Sequence, residues 1–115
     1  MNAFFSSNYQ QARTRFRDAA QSALRRIGRE DEKLEFFRVP SQVDDDLTVE
    51  YAFLPTGGDG SAPHLLLITS GVHGSEAFAG SAVQIYFLNS IFSKKQLLKT
   101  DVLLVHCLNP FGCKY

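Results

Sequence analysis

Apolar positions along the chain change period several times, and each change marks an element. Over residues 7–28, Tyr9, Ala12, Phe16, Ala19, Ala20, Ala23, Leu24 and Ile27 recur at three- and four-residue intervals. That spacing draws one apolar stripe on an α-helix. Ser7 and Gln10 have the spacing of a capping box, and Gly28 stands where a C′ glycine belongs. KLEFFRV (33–39) and LTVEYAFL (47–54) read as two strands separated by the turn region Pro40–Asp46. In the second, Leu47, Val49, Tyr51 and Phe53 alternate with polar or small residues, so these four form the expected buried face of an antiparallel strand. HLLLITS (64–70) is apolar without alternation, the pattern of a strand covered on both faces. Glu76 to about Phe92 is apolar almost all round and predicts a buried helix, brought close to the sheet by Ala77, Ala79, Gly80 and Ala82. After a polar exit at Lys94–Lys99, VLLVHCL (102–108) repeats the continuous apolar pattern.

Strand, buried helix and strand over 64–108 make a βαβ unit, whose two strands run parallel. The fold class expected is therefore α/β: a mixed, partly parallel sheet with flanking helices, in one domain over 1–115. Two helices serve about four strands, and the strand ending at Leu108 reads as central with no later strand beside it. An exposed apolar edge is a template for aggregation. The expectation is a domain that stops partway, with edge-to-edge self-association as the competing account.

Charge and composition narrow the partners. Lysine and arginine (12) balance aspartate and glutamate (12), which leaves no basic footprint for nucleic acid or an anionic membrane. The acidic groups 30-EDE-32 and 44-DDD-46 read as solvated turns. No signal peptide and no run long enough to cross a bilayer is visible, so the compartment expected is the cytoplasm. Cys107 and Cys113 are too few for a disulfide framework and are read as reduced thiols. PTGGDGSAP (55–63) is a loop; it lacks GxxxxGK[ST] and is not read as a phosphate cradle.

The chemistry gathers in 70-SGVHGSEAFAGSAVQ-84. His73 falls in the turn after a strand and Glu76 in the first turn of the next helix. In an open α/β sheet, the crevice beyond a strand's carboxyl end is where ligands bind. Imidazole nitrogen and carboxylate oxygen are both Zn²⁺ ligands, and two such residues need a third. His64, His106, Cys107 and Cys113 are the candidates within the chain. His64 starts its strand at the far end from His73, while His106 ends the neighbouring strand and is either a third ligand or a satisfied core histidine. Ser75 sits at a strand-to-helix turn, but His73 occupies the centre where a G-x-S-x-G elbow has its serine.

The long motif around His73 resembles the first zinc-ligand motif of the zinc carboxypeptidase superfamily, which includes carboxypeptidase A-like hydrolases and the succinylglutamate desuccinylase–aspartoacylase branch. LTVEYAFLP and 105-VHCLNPFG-112 extend the resemblance to a poorly characterised bacterial branch over nearly the whole chain. The resemblance implies His73 and Glu76 as the first two ligands of Zn²⁺, and Asn109, Pro110 and Gly112 as a turn that shapes the pocket. It implies hydrolysis of an amide bond in a peptide or acyl-amino-acid-type substrate. The family's third histidine, its arginine–asparagine grip and its general-base glutamate have no counterpart here, so no catalytic residue is assigned and the chain by itself is expected to be inactive. The alternative is a non-catalytic α/β module that binds a metal or a partner.

Overall fold

The structure, a computed structural model, describes residues 2–29, 31–32, 34–56, 62–92 and 99–115. Most of the loop expected at 55–63 and most of the polar exit expected at Lys94–Lys99 lie outside the described residues.

All eight residues of the predicted stripe are buried, seven in the first helix, α1 (Tyr9–Arg26), and Ile27 at its C-cap. Its cap lies one residue later than the capping-box spacing suggests: Asn8 accepts from the Gln11 N–H at 2.8 Å, and Gln11 Oε1 accepts from the Ser7 N–H at 2.7 Å. Gly28 adopts φ +74°, and the Gly28 and Arg29 N–H groups bond back to Arg25 and Leu24 carbonyls. That pair of bonds satisfies carbonyls the helix would leave open.

Four strands follow: β1 (Glu35–Arg38), β2 (Thr48–Leu54), β3 (His64–Thr69) and β4 (Thr100–His106). They form one mixed sheet in the order β1-β2-β4-β3, so the α/β expectation of a partly parallel sheet with flanking helices holds. β3 and β4 are parallel and joined through α2 (Ala77–Tyr86), as a βαβ unit requires; β1–β2 and β2–β4 are antiparallel. β4 is central, flanked by β2 on one side and β3 on the other. The apolar edge falls instead on β3.

All of the main core lies on one face of the sheet. Phe16, Ala20, Ala23 and Leu24 of α1 and Ile85 of α2 meet Ala52 and Leu54 of β2 and Val102 and Leu104 of β4. Three expectations are overturned by this one-sidedness. β3 is not covered on both faces: Leu65 is 58% exposed and Leu67 56%. The buried face of β2 is the opposite of the one its alternation suggested, with Thr48, Glu50, Ala52 and Leu54 inside and Tyr51 and Phe53 exposed; of the predicted four only Leu47, just before the strand, is buried. Helix α2 is not buried all round, since Val83 and Tyr86 face out. It also ends at Tyr86, with a turn of π-helix over Phe87–Ile91 rather than a continuous α-helix to Phe92.

Charged residues replace apolar ones where α1 crosses the covered face of β2. Arg17 Nε and Nη2 donate to the two Glu50 carboxylate oxygens at 2.9 and 2.8 Å, and Glu50 is buried. Arg13 makes the same two-pronged contact with Asp46 at 3.0 and 2.9 Å. Planar guanidinium and carboxylate groups match well in this geometry. Asp44 takes Lys114 Nζ and the Tyr115 hydroxyl, both at 2.6 Å, and these bonds hold its carboxyl down at about 2. The 44–46 acidic group is a turn exposed at Asp45 and Asp46, as expected, and it also anchors α1 and the last helix.

Candidate functional site

The turn after β3 is shaped by close backbone approach. Ser70 N–H donates to Val105 O, and the Leu108 and Asn109 N–H groups donate to Ser70 O and Gly71 O at 2.8 Å each. Parallel pairing thus continues past the ends of both strands and carries the turn beside the start of α3 (Pro110–Lys114). Gly71 has φ +66°, and a Cβ there would sit 2.7 Å from Cys113 Sγ and 2.8 Å from Cys107 Cα. No other residue type fits this position without displacement. A Cβ on Gly80 would lie 2.9 Å from Ser70 Cβ, so α2 does approach β3 as closely as its small residues suggest.

His73 and Glu76 are brought together. Glu76 Oε1 accepts from the His73 backbone N–H at 3.0 Å and lies 3.1 Å from His73 Nδ1. Glu76 is the N-cap residue of α2, yet its carboxylate makes no cap bond to the helix and turns back to the histidine. Both side chains are open to solvent, at 83% and 51%. Glu76 also lines a groove of about 390 Å³ between the Gly71–Val72 turn and the exposed side of α2.

The other predicted candidates lie elsewhere. His64 is exposed at the start of β3, as expected. His106 is wholly buried on the covered face, with Nε2 2.8 Å from Ser81 Oγ and its ring stacked on Phe16 at 4.7 Å between centroids. Burial, and then the charges of Arg13 and Arg17, push its pKa down to about 3, so it is a neutral core histidine. Cys107 and Cys113 are free and buried. The neighbouring Cys113 thiol, with burial, pushes Cys107 up, and the neighbouring Cys107 thiol draws Cys113 down. Ser75 is exposed and lines a different cleft, with Tyr9, Gly112 and Cys113. Among the described residues no group of three or more His, Cys, Asp or Glu side chains is placed to hold a metal ion. His73 and Glu76 are of side-chain types that ligate zinc, and a zinc site needs at least a third donor.

Sequence reasoning missed the role of Gln84, which positions the site. Gln84 Nε2 donates to Ile68 O and to Val105 O, both at 3.0 Å, while its Oε1 accepts from Ser70 Oγ at 2.8 Å. One buried side chain thereby ties α2 to the carboxyl ends of both parallel strands. Asn109 caps α3 by accepting from the Gly112 N–H at 3.1 Å. The available signal was a glutamine within an otherwise apolar helix, where a polar group survives only if it is paired.

No helix among the described residues is long and apolar enough to cross a membrane. No curated protein and no solved structure matches this chain. A match does extend over residues 5–115 to a protein family of unknown function, DUF2817, and the chain belongs to that family.

Proposed function

We propose that this chain carries the first two ligands of a zinc site for amide-bond hydrolysis, as its resemblance to the zinc carboxypeptidase superfamily implies. The observation that supports the reading is the His73–Glu76 contact at 3.1 Å, placed in the turn beyond the carboxyl end of a parallel strand. The Glu76 carboxylate meets the histidine through both backbone and ring, so the two donors already lie side by side. Zinc held there would supply a bound water of lowered pKa and a polarised substrate carbonyl. The 390 Å³ groove beside Glu76 is the space for a peptide or acyl-amino-acid-type substrate. The third donor and the proton shuttle come from outside the described residues in this reading.

Zinc titration against a chromophoric chelator tests the ligand assignment. Weak binding at one site, abolished by His73→Ala and reduced at least tenfold by Glu76→Gln, is the expected result. Equal affinity in the wild type and both variants would refute it. Because His73 is 83% exposed, its replacement should leave the unfolding free energy within about 0.5 kcal/mol, so lost binding cannot be lost folding.

A second reading, a non-catalytic module that associates through its sheet, is favoured by the exposed Phe37, Tyr51, Phe53, Leu65 and Leu67. A second copy of this chain is the partner that reading names.

A further inference from the structure

Cys107 and Cys113 belong to different elements, the residue after β4 and the interior of α3, and yet they meet. They share a small buried cluster with Tyr9 and Ala77, apart from the main core. One point in space, where a Cβ on Gly71 would stand, lies 2.7 Å from Cys113 Sγ and 2.8 Å from Cys107 Cα. Cys113 Sγ lies 3.9 Å from Gly71 O, on the residue that separates the two cysteines.

The backbone around them is fixed. Cys107 holds φ +50°, a left-handed conformation rare outside glycine, because its N–H donates to Ser70 Oγ at 3.1 Å and the next N–H donates to Ser70 O. Cys113 differs in access. It lines a cleft of about 400 Å³ bounded by the start of α1, the Gly74–Ser75 turn and α3, while Cys107 has no exposed surface. Cys113, 4% exposed, is therefore the one of the two that borders a cleft. The His73–Glu76 pair uses neither thiol.

We propose that Cys107 and Cys113 are a dithiol that a small hydroperoxide converts into an intramolecular disulfide behind the His73 turn. Cys113 reacts first: its sulfur bonds to one peroxide oxygen, the O–O bond breaks, and the thiol proton leaves with the other oxygen as water or alcohol. The product is a sulfenic acid on Cys113. The Cys107 sulfur then bonds to the Cys113 sulfur, the S–O bond breaks, and the Cys107 proton leaves with that oxygen as water. The two sulfurs lose two electrons and the peroxide gains them. The bridge ties the exit of β4 to α3 across Gly71, so the turn that presents His73 and Glu76 is backed by a covalent link.

Hydrogen peroxide added to the reduced, chelator-treated full chain tests this, with alkylation under denaturing conditions and no reductant. The expected product is a monomer lighter by two hydrogen atoms, unalkylated, whose digest joins the peptides containing Cys107 and Cys113. Cys107→Ser should stop at a sulfenic acid on Cys113, trapped by dimedone, and Cys113→Ser should leave the Cys107 thiol intact. Two alkylatable thiols after peroxide treatment of the wild type would overturn the proposal. So would a bridge between chains, or stable addition of oxygen to the thiols in place of a bridge. The wild-type mass decides the matter even where a serine variant fails to fold.

Discussion

His106 Nε2 lies 2.8 Å from Ser81 Oγ in the interior, while His106 Nδ1 has no hydrogen-bond partner among the described residues. An imidazole held this way resists a second proton, since burial and the nearby Arg13 and Arg17 all oppose its charge. The folded pKa of about 3 lies below the unfolded value of 6.5. Between those values the unfolded chain binds the extra proton and the folded chain does not. The stabilisation is complete above pH 6.5 and declines as pH falls, by up to about 1.4 kcal/mol per pH unit. Urea unfolding at pH 7, 6 and 5 should show that decline, and His106→Gln should flatten it. Asp44, held at about 2, adds its own loss only below its ordinary value of 3.8, so the two effects separate.

Arg17 and Glu50 form a contact that is asymmetric in its exposure. The arginine side chain is 40% exposed and the glutamate 2%. Arg17→Ala strands a buried carboxylate and should cost about 3 kcal/mol, reduced from the fully buried case by the solvent that reaches the arginine. Combining Arg17→Met with Glu50→Leu should recover most of that loss. A double-mutant cycle showing no coupling would mean that the Arg17 guanidinium does not hold the Glu50 carboxylate in solution.

Gly28 and Gly71 both have positive φ, yet their surroundings differ. A Cβ on Gly28 meets nothing within 4 Å, so Gly28→Ala should cost only the left-handed strain, about 1 kcal/mol. Gly71→Ala adds overlap with Cys113 Sγ and Cys107 Cα and should cost about 3 kcal/mol or more. Thermal unfolding of the two variants side by side measures the difference.

The uncovered sheet face should make the chain associate. Tyr51 and Phe53 of β2 are paired across β4 with Val105 and Leu103, and Leu103 pairs onward with Leu67 of β3. These residues therefore form one continuous apolar strip across three strands. Gel filtration over a rising concentration series is expected to show growing oligomers. Phe53→Lys with Leu67→Lys should restore the monomer without lowering the melting temperature, because neither residue contributes to the main core.

Local pattern carried a good part of this fold. The α1 stripe was legible to the residue because one helix face meets one sheet, and a 3.6-residue period records that contact directly. The parallel pairing of β3 and β4 was legible too, since a helix between two apolar strands leaves little other geometry. The His73–Glu76 pair was legible because its residues are three apart and sit in one turn.

What only the tertiary structure decided was which side of the sheet the helices cover. Alternation in β2 distinguishes two faces but does not say which is buried, and a fully apolar run such as HLLLIT distinguishes none. Both helices pack on the face of Glu50, Ala52 and Leu54, where Arg17 makes a buried glutamate tolerable from a place 33 residues away in sequence. The same long-range packing turned His106 into a core residue and set Cys113 against Cys107 behind Gly71. Sequence determined the elements and the two candidate ligands, because those depend on neighbours a few residues apart. Burial, pairing and access belonged to the tertiary structure, because each depends on which distant surface a side chain meets.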